Sequence, residues 1–363
     1  MGSRSESLYF YIVRAAIVMF CILLISGFLY SPYVSHCFKS QENLTIYTWV
    51  DMFDATSISA FEKQTGVKVN LVYYDNCEEL ITKLEISNGQ NHDLILLADC
   101  SLGDLVKMDM LAPIDKALLD FWPEIEPRFL NRTYDLNNRY SVPYSWDVYG
   151  IGINTERFDS QMPLNSWNLI FDCNLALPKI GMMEDGLSAV VMAAQYLYGN
   201  VEALDQNQIN EIKALLMAQK QLVEVYTSVR ADYLLSSRAS PVVVSQSACV
   251  YRAMENDDQI KFIIPQEGGF ISTENFVILK SSTKKLLAHQ FINFMYQKEN
   301  VRKYIHKTMF LPMRRDVLYE MDLHHLGGQD ILLDPKLFDK IAFFKYILPR
   351  QEITKLWIEV KAS

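Results

Sequence analysis

Three short apolar segments decide the fold: LTIYTWV at residues 44–50, VKVNLVYY at 67–74 and DLILL at 93–97. The first two are rich in β-branched and aromatic residues, which are typical of strands. The third is a continuous apolar run, typical of a strand buried on both faces of a parallel sheet. Amphipathic segments separate the three. This order predicts a strand–helix–strand–helix–strand unit, so we expect an α/β fold with a doubly wound sheet.

The two intervening helices have recognisable ends. Apolar spacing predicts a first helix over Ser57–Gln64, and Gly66 follows it as a C-terminal cap would. Asn76 is a suitable N-cap for a second helix that runs to about Ile86. Ser101 is expected to start a third helix directly after the buried strand.

In the remainder of the chain, predicted strands and helices alternate less regularly. Strands and helices are expected in the middle, and after residue 281 the pattern indicates helices alone. The expected strands lie at 146–154, 172–179, about 241–246, 260–265 and 275–279, and the expected helices at 187–198, 207–225, 284–297, 299–306, 337–346 and 350–361.

The length indicates the number of domains, and the net charge limits the kind of partner. The 363 residues exceed the usual size of one domain, which favours two α/β units. The formal net charge of −9 argues against nucleic acid as a partner and is compatible with a cationic ligand.

The first forty residues are a separate segment. No Lys, Arg, Asp or Glu occurs from Ala15 to Phe38, and Arg4 and Arg14 precede this run. The positive-inside rule then predicts a cytoplasmic N-terminus and an exported body. A cleaved signal peptide and a retained anchor both remain open, and the missing A-x-A-like cleavage site favours the anchor. We therefore expect the body to lie beyond a membrane and to be tethered to it by this segment.

The cysteine spacing and the absence of catalytic motifs mainly exclude classes of protein. Cys77, Cys100, Cys173 and Cys249 form no CxxC pattern, and we expect free thiols in the body, with disulfide pairing left open. No GxSxG, GxxxxGK[ST], HExxH or GxGxxG motif occurs. The sequence therefore predicts a protein that is not an enzyme and needs neither a cofactor nor a metal.

Several segments together resemble the periplasmic polyamine-binding proteins, the spermidine and putrescine receptors of ABC importers. The likeness covers nearly all of residues 44–310 in order and spacing, and it rests on the combination of motifs. The matching segments are IYTWVDMFD (46–54), FEKQTGVKVNLVYYDNCEELITKL (61–84), HDLILLAD (92–99), YSVPYSWDVYGIGIN (140–154), IIPQEGGF (263–270) and FINFMYQKENV (291–301).

The resemblance implies a two-lobed type II periplasmic-binding-protein fold that closes about a hinge on its ligand. After the N-terminal segment 1–40, lobe 1 would comprise 41–149 and 273–318, and lobe 2 would comprise 150–272 and 319–363. Implied partners are a polyamine or another small cation, an ABC permease and an ATPase, with the protein itself a monomer.

The resemblance also implies the ligand-binding residues. Carboxylates would bind ammonium groups, and aromatic rings would contact the methylene chain. The candidates, carried over by position, are Trp49, Asp51, Asp99, Ser101, Glu184, Asp185, Ser245 and Glu274. Glu274 replaces the key aspartate of the family, and the register at Glu184 and Asp185 is open by a residue or two.

Much of the family's aromatic box is replaced. Cys100, Ser245 and Ser272 occupy positions where aromatic residues are usual. Tyr144, Trp146, Tyr149 and Phe270 are the candidate substitutes. Two alternatives to polyamine import therefore stay open: a different small solute, and a membrane-anchored sensor or interaction protein that takes no part in transport.

Overall fold

The computed structural model describes residues 11, 13–27, 42–158, 162–173, 179–227, 230–320 and 335–363. Most of the expected N-terminal anchor, including residues 1–10 and 28–40, lies outside them. Residues 13–27 are helical, and no helix in the described ranges has both the length and the apolar character needed to cross a membrane.

The strands of the described residues form one mixed sheet. Its main path runs β2-β1-β3-β9-β4-β7-β5-β6, while β8 and β10 pair with β4 and β11 pairs with β9. The strands are β1 Asn43–Thr48, β2 Lys68–Tyr73, β3 Leu94–Ala98, β4 Ser141–Asn154, β5 Ile180–Met182, β6 Val223–Tyr226, β7 Val242–Gln246, β8 Ile260–Ile263, β9 Phe270–Ile278, β10 Leu311–Pro312 and β11 Ala342–Phe343.

Helices surround this sheet. Those of the described body are α1 Ala55–Thr65, α2 Cys77–Ser87, α3 Asp99–Lys107, α4 Asn168–Phe171, α5 Gly186–Tyr198, α6 Gln206–Gln219, α7 Ala231–Ser236, α8 Ser247–Met254, α9 Lys285–Met295, α10 Lys298–Thr308, α11 Arg315–Glu320, α12 Pro335–Phe338 and α13 Arg350–Ala362.

The predicted N-terminal unit is confirmed. Strand β1 pairs in parallel with both β2 and β3, and helices follow β1, β2 and β3. Gly66 ends α1 with a φ of 74°, in the left-handed region that favours glycine. The Asn76 side chain accepts a hydrogen bond from the Glu79 amide at 2.8 Å and caps α2.

Two predicted elements were wrong at particular places, and a third falls largely outside the described residues. The helix expected over 207–225 ends at Gln219, and Val223–Tyr226 pairs with β5 instead. The helix expected over 337–346 ends at Phe338 and is followed by β11. The strand expected at 172–179 falls largely on residues outside the described ranges, and the next described strand is Ile180–Met182.

Two large buried clusters make up the core. One joins the N-terminal strands to α9 and α10 and includes Leu94, Phe276 and Phe291. The other joins β5 and α5 to the C-terminal helix α13 and includes Val190 and Trp357. Strands β4 and β9 contribute to both clusters and connect the two halves of the sheet. This is the two-lobed arrangement with strand crossovers that the resemblance implies.

Candidate functional site

The site lies where β1 and β3 end and β9 passes beside them. Strand β9 inserts between β3 and β4, so Glu274 faces Ala98 on one side and Ser145 on the other. Trp49 follows β1, and Asp99 follows β3 as the first residue of α3. The carboxyl ends of sheet strands are the usual place for a ligand in α/β proteins.

Glu274 is a buried acid that accepts a hydrogen bond from Trp49. Its side chain is 6% exposed, and the indole Nε1 of Trp49 donates to Oε2 at 3.1 Å. Burial raises the pKa of Glu274 to about 8, and the nearby Cys77 adds to this rise. The Trp49 hydrogen bond acts in the opposite direction because it favours the ionised form.

Asp99 lies beside Glu274 and is even more deeply buried, at 1% exposure. Within the described residues, neither carboxylate oxygen has a hydrogen-bond partner of normal geometry. Burial raises the pKa of Asp99 to about 7, although the polar groups of Thr273 and the Arg132 guanidinium oppose the rise. An acid buried without a partner is costly unless a ligand supplies one.

Asp147 is a third buried acid, but its hydrogen bonds are made within the protein. It accepts from the amides of Val148 at 2.8 Å and Ala248 at 3.2 Å, and from the Ser247 hydroxyl. Burial raises its pKa to about 7. Its position in the β4 crossover and its complete set of partners indicate a packing role, with its charge also raising the pKa of Glu274.

Asp185 approaches from the other half of the sheet. It caps α5 by accepting from the Ser188 amide at 2.7 Å, and its side chain is open to solvent. Desolvation by the surrounding protein nevertheless raises the pKa of Asp185. Glu184 is also exposed, and its backbone carbonyl accepts from the Trp357 indole at 2.8 Å. Asp185 is therefore available to a ligand, and Glu184 anchors the loop through its backbone.

Three of the eight predicted residues are placed elsewhere or within the core. Asp51 is exposed, and its carboxylate pairs with the Lys307 ammonium at 3.5 Å. Ser101 is buried inside α3, and Ser245 is buried on β7 opposite Gly150. The structure thus brings Trp49, Asp99 and Glu274 together.

Among the four aromatic residues expected as substitutes, Tyr149 lies near Asp185, Asp147 and Glu274. Burial raises its pKa well above the usual value, and Asp185 and Asp147 contribute. Its hydroxyl accepts from the Gln246 side chain at 3.0 Å. Tyr144, Trp146 and Phe270 are buried in the hydrophobic core, where the Trp146 indole donates to the Pro312 carbonyl at 3.2 Å.

Other aromatic and charged residues near the site were missed from sequence. The Tyr74 ring lies 4.3 Å from that of Trp49, measured between centroids. Burial raises the pKa of Tyr134, and the nearby Asp99 carboxylate adds to the rise. The Arg132 guanidinium lies 3.5 Å from the centroid of the Phe343 ring. A tyrosine-rich strand end at 73–74 is the one signal in the sequence that pointed to any of them.

One ion pair connects the C-terminal helix to the first half of the sheet. Arg350 of α13 donates to Asp104 of α3 at 2.6 Å. Helix α13 packs on α5 in the second cluster, whereas α3 follows β3 in the first half. The pair therefore joins the two halves beside the site.

Together these groups have the chemistry to bind a cation. A positive charge would favour the ionised forms of the two buried acids, and the Trp49 and Tyr74 rings offer faces for an ammonium group or an alkyl chain. Among the described residues, no group of three or more His, Cys, Asp or Glu side chains is arranged to hold a metal ion.

The known proteins similar to this chain are binding proteins. The model of the family described as "Bacterial extracellular solute-binding protein" matches residues 56–324. A putrescine/agmatine-binding protein of Pseudomonas aeruginosa is 25% identical over 280 residues, covering 73% of this chain and 76% of that protein. A spermidine/putrescine-binding periplasmic protein of Escherichia coli is 26% identical over 281 residues, covering 75% and 77%.

A solved structure has the same fold. The spermidine/putrescine substrate-binding protein PotD of Streptococcus pneumoniae superposes with a TM-score of 0.75 at 20% sequence identity. The superposition covers 88% of this chain and 99% of that one.

Proposed function

Since the chain belongs to the bacterial extracellular solute-binding proteins, we propose that it is the substrate-binding subunit of an ABC importer and that its ligand is a polyamine such as putrescine or spermidine. The two relatives described above are named for binding putrescine and agmatine or spermidine and putrescine. The proposed role is binding and delivery without chemical conversion of the ligand.

The buried pair Asp99 and Glu274 carries this proposal. Each acid has a pKa near or above neutrality because it is buried, and neither oxygen of Asp99 has a hydrogen-bond partner of normal geometry among the described residues. An ammonium group placed between them would supply charge and hydrogen-bond donors at once. The pair would then ionise on binding, and the Trp49 ring would contact the adjacent methylenes.

A diamine has a second charge, which needs a second acid. Asp185 belongs to the other half of the sheet, is exposed and lies near Tyr149. We propose that the distal ammonium binds Asp185 when the two lobes close. Lobe 1 would comprise 41–149 and 273–318, and lobe 2 would comprise 150–272 and 319–363, with β4 and β9 as the crossovers.

The proposed setting follows from the family and from the N-terminal sequence. We propose that the body works in the periplasm as a monomer, tethered to the inner membrane through the apolar segment Ala15–Tyr30. It would deliver its ligand to an ABC permease driven by a cytoplasmic ATPase. A fractionation experiment with a tag at the C-terminus tests the tether, since a cleaved chain would appear in the soluble periplasmic fraction.

A second ligand class is favoured by Arg132. Its guanidinium is close enough to Asp99 to lower the pKa of that acid, and its Nε is buried without a hydrogen-bond partner. A solute that carries a carboxylate at one end and an ammonium at the other would satisfy both residues. The amino acid 4-aminobutanoate and the diamine putrescine have the same chain length, so they separate the two proposals cleanly.

Calorimetric titration of the full-length protein in mild detergent tests the function. Saturable one-to-one binding of putrescine, with 4-aminobutanoate much weaker, supports polyamine import. The reverse order supports the amino-acid proposal. A flat titration with both ligands, and with spermidine, by folded protein would contradict both and favour a sensor role.

A further inference from the structure

Tyr74 directly follows strand β2 and is fixed to both β1 and β3. Its amide donates to the carbonyl of Thr48, the last residue of β1, at 3.3 Å. Its hydroxyl donates to the Leu96 carbonyl of β3 at 2.8 Å, and the whole residue is only 2% exposed. The backbone and the far end of this side chain are therefore both held by the sheet.

The Tyr74 ring lies against the indole of Trp49. The two ring centroids are 4.3 Å apart, and the ring planes are inclined by 49°. The Tyr47 ring contacts the same tyrosine edge to face, with 6.3 Å between the centroids. Aromatic pairs of this kind have preferred relative orientations, so a fixed Tyr74 limits the orientations that are open to the Trp49 ring.

The orientation of Trp49 decides whether it can reach Glu274. Trp49 is the first residue after β1 and is only half-buried, and its Nε1 donates to the Glu274 carboxylate at 3.1 Å. An indole has a single N–H donor, so this hydrogen bond forms only when the ring directs Nε1 at the carboxylate. The contact with Tyr74 and the contact with Glu274 thus occur in one and the same orientation of the indole.

We propose that Tyr74 is a positioning residue of the ligand site, which holds the Trp49 indole in the orientation that donates to Glu274. This role is additional to the face that the Tyr74 ring offers to a ligand, because Tyr74 acts here through Trp49. The hydrogen bond favours the charged carboxylate, which is the form of Glu274 that would bind an ammonium group. That consequence for binding rests on the proposed function, whereas the effect of Tyr74 on Trp49 and Glu274 does not.

Several other groups act on Glu274 and must stay constant in a test. Burial raises the pKa of Glu274 to about 8, and the nearby thiol and carboxylates add to the rise. The titratable groups that interact with it are Cys77 of α2, Asp99 of α3, Asp147 of β4, and the tyrosines Tyr74, Tyr149 and Tyr304. Because Tyr74 is itself one of them, a direct effect on Glu274 has to be separated from an effect through Trp49.

The pH profile of thermal stability tests the proposal on ligand-free, full-length protein in mild detergent. Each protein is compared with the same protein carrying Glu274→Gln, and the pH at which the relative loss of stability levels off reports the pKa of Glu274. Tyr74→Leu removes the ring and should shift this pH upward by about one unit, because the donor is lost. Tyr74→Phe keeps the ring but lacks the tie to β3, so it should produce a smaller shift in the same direction.

Two controls distinguish positioning from a general structural effect. In a Trp49→Phe background, which has no indole N–H, neither substitution of Tyr74 should shift the profile further. Tyr73→Leu changes the neighbouring tyrosine, which is 48% exposed, and should keep the wild-type profile. An unshifted profile in Tyr74→Leu, or an equal shift in the Trp49→Phe background, would overturn the proposal. If Tyr74→Leu does not fold, Tyr74→Phe decides by the same two comparisons.

Calorimetric titration with putrescine at pH 7 separates this inference from the proposed function. Tyr74→Leu should bind putrescine about tenfold more weakly than the wild type, since Glu274 then has a pKa about one unit further above the working pH. Putrescine binding by the wild type together with an unshifted stability profile in the variants would overturn the inference alone. The expected shift in the profile, with no putrescine binding by the wild type, would support the inference and contradict the polyamine proposal.

Discussion

The indole of Trp49 donates a hydrogen bond to the Glu274 carboxylate, with 3.1 Å between Nε1 and Oε2, although the two residues are 225 positions apart. The contact places an aromatic ring beside a buried acid at the carboxyl end of β1. Because the donor favours the charged carboxylate, it partly offsets the effect of burial on the pKa of Glu274. A cationic ligand would stabilise the ionised carboxylate of Glu274 further.

Neutralising the buried acids should weaken polyamine binding. Glu274→Gln and Asp99→Asn each remove a charge-assisted contact worth about 1.5–3 kcal/mol, or roughly 10- to 150-fold in affinity. Calorimetric titration with putrescine measures the change. Glu299→Gln is the matched control, since Glu299 is exposed and pairs with Lys303 on α10. Equal affinity for all three variants and the wild type would contradict the assignment of the site.

Binding should release protons near neutral pH. The pKa of Glu274 is about 8 and that of Asp99 about 7, so both acids are partly protonated before an ammonium group arrives. Alkyl ammonium groups keep their protons, because their pKa lies near the lysine value of about 10. Each acid should therefore lower the affinity by up to about tenfold for each pH unit below its own pKa, so the fall should reach up to about 100-fold for each unit below pH 7, where both acids are protonated.

Titrations in two buffers with different ionisation enthalpies count these protons. At pH 7 the wild-type protein should release more protons than Glu274→Gln does. A binding heat that is independent of the buffer, in protein that binds putrescine, would show that the acids are already ionised in the free state.

Glu274 should make the ligand-free protein less stable as the pH rises. Its pKa is raised from the usual value of 4.5 to about 8 in the folded state, so the unfolded chain loses the proton first. The stability associated with the protonated form is full below about pH 4.5 and is lost as the pH rises through 8. At about 1.4 kcal/mol for each pKa unit, the loss is on the order of several kcal/mol.

The comparison of wild type with Glu274→Gln isolates this effect from other titrating groups. Between pH 5 and 8.5 the melting temperature of the wild type should fall relative to that of the variant. A difference between the two proteins that stays constant over this range would mean that Glu274 titrates as an ordinary exposed acid.

The two roles of Trp49 can be separated. Trp49→Phe keeps an aromatic face but removes the indole N–H, so the pKa of Glu274 should rise further. Trp49→Ala removes both the ring and the donor, and should cost a further 0.5–2 kcal/mol or about 2- to 30-fold in affinity. The measurements are the putrescine affinity and its pH profile. A Phe variant with the wild-type pH profile would argue that the hydrogen bond has no electrostatic effect.

The fold was more predictable from sequence than the site. The N-terminal strands and helices have local signals, namely apolar periodicity and caps such as Asn76 and Gly66. Strand β6 was missed because VEVY follows a helix without a break. Strand β9 begins earlier than predicted because its middle, Ser272–Asn275, is polar yet buried between β3 and β4.

The site depends on that same insertion. The approach of Glu274 to Ala98, and so to Asp99, is set by the register of two strands whose positions in the sequence differ by about 180 residues. No local pattern carries such a register. For the same reason the tyrosines and Arg132 near the site were not predicted, whereas Asp99 and Glu274 were reached through the family resemblance.

The ion pair between Arg350 and Asp104 should couple cleft closure to ligand affinity. It joins α13 to α3 at 2.6 Å, and the two side chains are 22% and 34% exposed. Pairs of this exposure contribute about 0.5–1 kcal/mol, so Arg350→Gln and Asp104→Asn should each weaken putrescine binding roughly two- to fivefold. The double variant should be little worse than either single one, because both remove the same contact.

The pair Lys345 and Glu202 is the control, since Glu202 is 92% exposed and neutralising it should leave affinity unchanged. Additive losses in the double variant would show that the two residues act independently of each other on binding.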